Sequence, residues 1–325
     1  MPQAAPPERL PGALIVAGPT ASGKSALAIG LAERFGGVVI NADSMQVYRE
    51  LRILTARPTV EEEARAPHRL YGVRPAAEAG SVGWWRATAL AEMAAARRDG
   101  LLPILCGGTG LYFTALTGGI ADIPEAGEAA RSEARRLLAE QGPAALHAAL
   151  AQVDPATAAR LRPSDSQRVA RAWEVWRGTG KGLVAWQASG AAPAAWRFSA
   201  ILLDPPREAL RASIAGRFAA MLDAGALVEV RALLALGLDC ALPAMRAHGV
   251  PELSAHLRGE ITLAEATRRA ELATGQYTKR QATWFRHRAL AAPGRTHMIH
   301  ARIAGLEQLS VCWAADLLNF VQSSG

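Results

Sequence analysis

The stretch Gly18-Pro-Thr-Ala-Ser-Gly-Lys24-Ser25, entered from the apolar run Ala13-Leu-Ile-Val-Ala17, decides the fold of this 325-residue chain. It is a complete G-x-x-x-x-G-K-[ST] phosphate loop in a strand-loop-helix setting. Its glycines let backbone N–H groups turn inward around a polyphosphate, and the segment 24–34 reads as a helix whose positive N-terminal end faces the same anion. Lys24 is placed to neutralise phosphate charge, and the Ser25 hydroxyl to ligate Mg²⁺. The only lysines are Lys24, Lys181 and Lys279, every other cationic side chain being arginine. A lysine inside the loop is therefore a selective placement. The loop specifies a phosphate and not a reaction.

Working outward, further strand signals fall at 37–40, 102–106 and 198–203, each a short apolar run bounded by turn residues. Ala- and Leu-rich helical stretches such as 84–98 and 208–222 lie between them. Apolar strands alternating with helices predict an α/β fold, a parallel P-loop NTPase-like sheet flanked by helices. Residues 120–197 carry no strand signal and are cut by Gly142-Pro143, Asp154-Pro155, Arg162-Pro163 and Gly178-Thr-Gly180, which predicts an all-helical insertion domain. The expected organisation is a core over 1–119, the insertion over 120–197, and a second core part over 198–290 with a long helix at 262–287. The tail 291–325 gives no clear signal.

Half of the chain is hydrophobic, enough for a sizeable core, and its formal net charge is +7, with a pI near 9.9. This balance favours an anionic partner, although an arginine-rich solvated surface has the same composition. Cys106, Cys240 and Cys312 are too few and too scattered for a zinc site or disulfide framework, which fits a reducing cytoplasm. Residues 1–9 lack an apolar targeting core, and no apolar run approaches the roughly 18 residues of a membrane span. The expectation is a cytoplasmic protein without membrane attachment. Nothing calls for an obligate protein partner, and a monomer is the simplest expectation.

The second strand ends in Asn41-Ala-Asp43-Ser44-Met45-Gln46. Ligands of parallel sheets gather outside the carboxyl ends of strands, so Asp43 is expected in the same crevice as the phosphate loop. There it can bind metal, orient a substrate or act as a general base; on local sequence it can equally cap a helix. Cys106-Gly-Gly-Thr109-Gly-Leu-Tyr112 ends another strand, with Thr109 a polar candidate, and a tight strand-to-helix turn explains the glycines as well. Arginines stand beside aromatics in 166–177, with Gln167, Arg168 and Arg171, and in 279–288, with Lys279 and Arg280. Such composition suits RNA phosphates and unstacked bases. For Trp173, Trp176 and Trp284 core packing is the preferred reading. No histidine pair has ligand spacing, and no nucleophile elbow is present.

In order, the segments 18–25, Asp43-Ser44 with Tyr48, Thr55-Ala-Arg-Pro58, Pro67-His-Arg-Leu70, 107–112, Asp165-Ser-Gln-Arg168 and Lys279-Arg-Gln-Ala-Thr-Trp-Phe-Arg286 resemble the tRNA dimethylallyltransferase family. The resemblance spans about residues 13–288. It implies transfer of a dimethylallyl group from dimethylallyl diphosphate to N6 of adenine 37, beside the anticodon of tRNA, with release of diphosphate. It further implies that Gly18, Pro19, Thr20, Ala21, Ser22, Gly23, Lys24 and Ser25 hold the diphosphate with Mg²⁺ at Ser25, that Lys24 and Arg217 assist the leaving group, that Asp43 is the general base, and that Thr109 supports the transfer geometry. The residues implied for the tRNA anticodon stem-loop are Asp43, Ser44, Met45, Gln46, Thr109, Arg131, Gln167, Arg168, Val169, Ala170, Arg171, Arg246, Gly249, Lys279 and Arg280. The chain departs from the family pattern at Leu54, usually glycine, and at His248-Gly249-Val250-Pro251. A small-molecule kinase using the same loop to bind ATP is the competing expectation.

Overall fold

In the computed structural model, residues 11–188, 190–304, 316, 317 and 319–321 are described. The N-terminal segment 1–9 and Cys312, read above, lie outside them, as does part of the tail. The chain forms two compact units, residues 1–117 with 194–325, and residues 118–193.

The first unit is built on β1 (Gly12–Ala17), α1 (Lys24–Phe35), β2 (Gly37–Asn41), α2 (Val60–Arg65), β3 (His68–Arg69), α3 (Val82–Arg98), β4 (Leu102–Gly107) and α4 (Gly110–Thr117). Its strands pair in parallel in the order β3-β2-β4-β1, continued by two later strands. Strand residues alternate between faces. Ala13, Ile15 and Ala17 therefore join Val38, Ile40, Leu105, Trp85 and Phe113 on one side of the sheet. Leu14 and Val16 join Val39, Ile104, Leu27 and Leu31 on the other. Both faces being covered explains why these strands read as unbroken apolar runs.

The second unit contains α5 (Gly127–Val153), α6 (Pro155–Ala158), α7 (Ser166–Thr179) and α8 (Leu183–Ala188), with no strand among its described residues. Gly142, at φ 78° and ψ 170°, breaks the helical path of α5 just before Pro143. Asp154 and Asp165 cap the next two helices through bonds from Thr157 N at 3.2 Å and Arg168 N at 3.1 Å. Leu150, Ala158 and Ala172 form the buried centre, against which Trp173 packs. The unit ends at residue 193, earlier than the 197 expected, because Ala194 N donates to Leu116 O at 2.8 Å and Trp196 packs on the sheet core.

The first unit resumes with β5 (Arg197–Leu203), α9 (Arg207–Asp223), α10 (Ala226–Ala235), α11 (Val250–Leu257), α12 (Leu263–His287) and β6 (Thr296–Ile299). β5 pairs with β1, and β6 extends the sheet beside β5, also in parallel. The β6 strand falls in the tail that gave no sequence signal: it is short, and Thr296 and Met298 are exposed, so hydrophobic runs do not betray it. Among the described residues no helix is long and apolar enough to cross a membrane.

Candidate active site

The loops after β1, β2 and β4 come together because β4 lies between β2 and β1 in the sheet. The phosphate loop is tight. Ser22 N donates to Pro19 O at 3.2 Å. Ala21 and Gly23 take left-handed conformations at φ 67° and 91°, a region costly for alanine and ordinary for glycine. Gly23 opens α1 without a side-chain cap, and no acidic residue stands in the first turn. Among the described residues the backbone N–H groups of Gly23, Lys24 and Ser25 have no acceptor. Such a row of oriented donors at a helix N-terminus suits an anion. Thr20 differs, since its N–H is committed to Gln281 Oε1 at 2.8 Å.

The Lys24 ammonium makes one long contact, 3.4 Å to Pro19 O. Burial pulls its pKa below the ordinary lysine value, and the Asp43 carboxylate opposes that shift. Ser25 is exposed, and its hydroxyl bonds the Cys106 thiol, which burial pushes up to about 11. On α9 the Arg217 guanidinium is likewise lowered by burial, with Asp43 again opposing. No acceptor among the described residues bonds Arg217. Lys24 and Arg217 thus share one carboxylate, and among the described residues no second carboxylate acts on either.

Asp43 does not cap a helix, because the residues after it form turns. Instead Met45 N donates to Asp43 Oδ1 at 3.0 Å, and Asp43 N donates to Asn41 Oδ1 at 2.8 Å. Asn41 Nδ2 then donates to both Asp43 O and Leu70 O at 3.0 Å. The carboxylate is held by its own loop while one oxygen stays free for chemistry. Thr109 locks the same loop from β4: its N–H donates to Ala42 O at 3.2 Å, and its hydroxyl accepts from Ser44 N at 2.9 Å. The Tyr277 phenol bonds Thr109 and Gln281, and its pKa is raised, first by burial and then by the Asp43 charge.

Helix α12 explains Gly108 and Gly110, while Gly107 lies against the Ala42 backbone. Gln281 Nε2 donates to Gly108 O at 2.9 Å. A β-carbon on Gly108 would overlap that amide, and one on Gly110 would overlap the Trp284 ring. The segment 279–286 therefore divides by helical face. Gln281 and Phe285 are buried and Trp284 packs on the core, while Lys279, Arg280 and Arg286 are exposed. Gln276, Lys279, Arg280, Thr283 and Trp284 line a groove of about 520 Å³. Gln281 and Tyr277 were missed as site residues. Their spacing with Trp284 and Phe285, four then three or four residues, is the helical stripe that marks them.

The other candidates divide by exposure. Gln46 spends its amide nitrogen on Thr55 O at 2.9 Å and Ala56 O at 2.8 Å. Ser44 and Met45 are half-buried, and Arg246 is exposed. Gly249 is buried at φ 95° and opens α11; a β-carbon there would press on Leu54, so the two departures from the family pattern touch each other. In the helical unit Arg168 and Arg171 are exposed and pair locally with Asp165 at 3.4 Å and Glu174 at 3.2 Å. Gln167 and Ala170 lie on the same helix, whereas Val169 is fully buried. Arg131 meets Glu125 at 3.8 Å and Glu128 at 3.9 Å.

The family profile described as IPP transferase matches residues 46–288, most of the chain. This chain belongs to the IPP transferase family. A tRNA dimethylallyltransferase of Granulibacter bethesdensis is 64% identical over 312 residues, covering 96% of this chain and 98% of that protein. One of Acidiphilium cryptum is 60% identical over 321 residues, covering 98% and 97%. Among solved structures, a tRNA isopentenylpyrophosphate transferase of Bacillus halodurans matches with a TM-score of 0.67 at 30% identity, covering 96% of each chain. A eukaryotic dimethylallyltransferase acting on tRNA matches with a TM-score of 0.79 at 25% identity, covering 97% of this chain and 80% of its own. The six-stranded parallel sheet with its phosphate loop is thus the fold of IPP transferase relatives.

Proposed function

We propose that this IPP transferase family enzyme moves a dimethylallyl group from dimethylallyl diphosphate to N6 of adenine 37 in tRNA. The observation that carries the reading is that Lys24, at the open N-terminus of α1, and Arg217 share Asp43 as the one carboxylate acting on either among the described residues. A bound diphosphate supplies the missing charge. The named relatives supply the reaction class.

The adenine N6 lone pair is delocalised into its ring, so the amine is a poor nucleophile. As the bond from N6 to the allylic carbon forms, the bond from that carbon to the diphosphate oxygen breaks, and Asp43 takes the proton leaving N6. Negative charge grows on the departing diphosphate, where Lys24, Arg217 and the loop N–H groups stabilise it. Thr109, fixed between Ser44 and Tyr277, keeps the base in register. The exposed Arg168 and Arg171, with Lys279 and Arg280, take tRNA phosphates, and the target base enters the crevice unstacked.

The residues present fit Mg²⁺. It keeps several waters and binds through few protein oxygens plus substrate phosphates, and the exposed Ser25 hydroxyl at the start of α1 is such a donor. No cage of three His, Cys, Asp or Glu ligands exists among the described residues. Ser25 would hold the ion, which supplies charge neutralisation on the diphosphate.

The test is incubation of the full chain with Mg²⁺, labelled dimethylallyl diphosphate and unmodified tRNA. Label in the adenine beside the anticodon is the expected result. No transfer to any tRNA, with brisk ATP turnover, would overturn it in favour of a kinase.

A further inference from the structure

After β6 the chain crosses the phosphate loop. Ile303 N donates to Ser22 O at 3.1 Å, and a β-carbon on Gly23 would overlap the Ile303 carbonyl. Beside this seam, Arg302 Nε donates to Ala21 O at 3.2 Å and to Ser213 Oγ at 2.9 Å. Ala21 is the loop residue held at φ 67°. Ser213 stands on α9, four residues before Arg217 and so on the same face of the helix. One guanidinium therefore bridges the loop and the helix whose charges would meet a bound diphosphate. Its terminal nitrogens bond no acceptor among the described residues.

We infer that Arg302 is a positioning residue for the diphosphate: by tying the Ala21 carbonyl to Ser213 it fixes the phosphate loop against the helix that carries Arg217. The inference rests on the reading of the loop as the diphosphate holder. Three physical facts support it. A left-handed alanine persists only when its surroundings over-determine it, and the bond to its carbonyl does so. The single Nε–H of Arg302 is shared by both acceptors as a three-centre bond, so the loop carbonyl and the helix hydroxyl are drawn to one donor. The Arg302 charge also lies close enough to depress the Arg217 pKa, so an anion bound beside both relieves their repulsion.

The experiment titrates inorganic pyrophosphate into the full chain and measures steady-state transfer with donor and tRNA varied separately. R302A and S213A are each expected to raise the pyrophosphate Kd and the donor KM by roughly three- to tenfold, the scale of one or two hydrogen bonds, while the tRNA KM stays unchanged. The double variant should be no worse than R302A, because both remove the same bridge. Wild-type pyrophosphate affinity in R302A, additive penalties, or equal rises in both KM values would overturn the inference. K24A separates the two levels: if it too binds pyrophosphate like wild type, the loop is not the diphosphate holder. If K24A loses binding while R302A keeps it, only the role of Arg302 falls. S213A, which removes a single hydroxyl from a partly exposed helix position, keeps the test valid should R302A fold poorly.

Discussion

Thr20 and Gln281 are joined by a backbone-to-side-chain hydrogen bond of 2.8 Å across 261 residues of sequence. The same amide holds Gly108 O at 2.9 Å, so one buried side chain of α12 sets both glycine-rich loops of the crevice. The loop's shape is thus partly a property of a helix near the other end of the chain.

Replacing Gln281 with leucine leaves the Thr20 N–H and the Gly108 carbonyl unpaired. The expected cost is about 2 kcal/mol, the scale for buried polar groups stripped of partners. Urea unfolding measures it, and a rise in donor KM should accompany it because the loop loses its anchor.

Asp43→Asn keeps the acceptor for Met45 N but cannot take a proton. Turnover should fall by roughly 10²–10⁴-fold, the range for loss of a general base, with tRNA affinity nearly unchanged by filter binding. Near-normal turnover would return Asp43 to a structural role.

Burial lowers the Lys24 pKa, and in the proposed function the charged form is the one that holds diphosphate. As pH rises towards that lowered value the ammonium loses its proton, so donor KM should climb on the alkaline side earlier than an ordinary lysine predicts. A KM profile with Lys24→Arg checks the cause, because the guanidinium stays charged across the same window and should flatten the rise.

Two glycine substitutions should have opposite signs. Gly110→Ala drives a methyl into the Trp284 ring and should cost about 1–3 kcal/mol, as overpacking does. Gly275→Ala, inside α12 with nothing within 4 Å, should gain about 1 kcal/mol from helix propensity. Both are read by chemical denaturation.

Arg168 and Arg171 are exposed, and among the described residues each pairs with one local carboxylate, an arrangement worth little in water. If they take tRNA phosphates, affinity falls steeply with salt, and the double alanine variant lowers the slope of log K against log salt by about one to two. An unchanged slope would remove them from the interface.

Much of the core was legible because its strands are buried on both faces and read as apolar runs: 13–17, 37–40, 102–106 and 198–203 lie in β1, β2, β4 and β5. The long helix expected at 262–287 is α12, capped by Thr262. The strands β3 and β6 were not legible, one having two residues and the other an exposed edge. Residues 279–286 show the same limit at the site. Composition marked them as basic and aromatic, but only helical phase separates Gln281, which faces the loops, from Lys279 and Arg280, which face solvent.

The sequence by itself determined the phosphate loop, the parallel sheet that presents it and the family, because these follow from local patterns: glycine and lysine spacing, apolar runs and ordered motifs. Tertiary structure alone decided which groups complete the crevice. Gln281, Tyr277 and Arg302 come from distant segments and each act through a pair of side-chain hydrogen bonds. Such bonds depend on the angstrom-scale placement of helices and of a sheet edge, which no local pattern encodes.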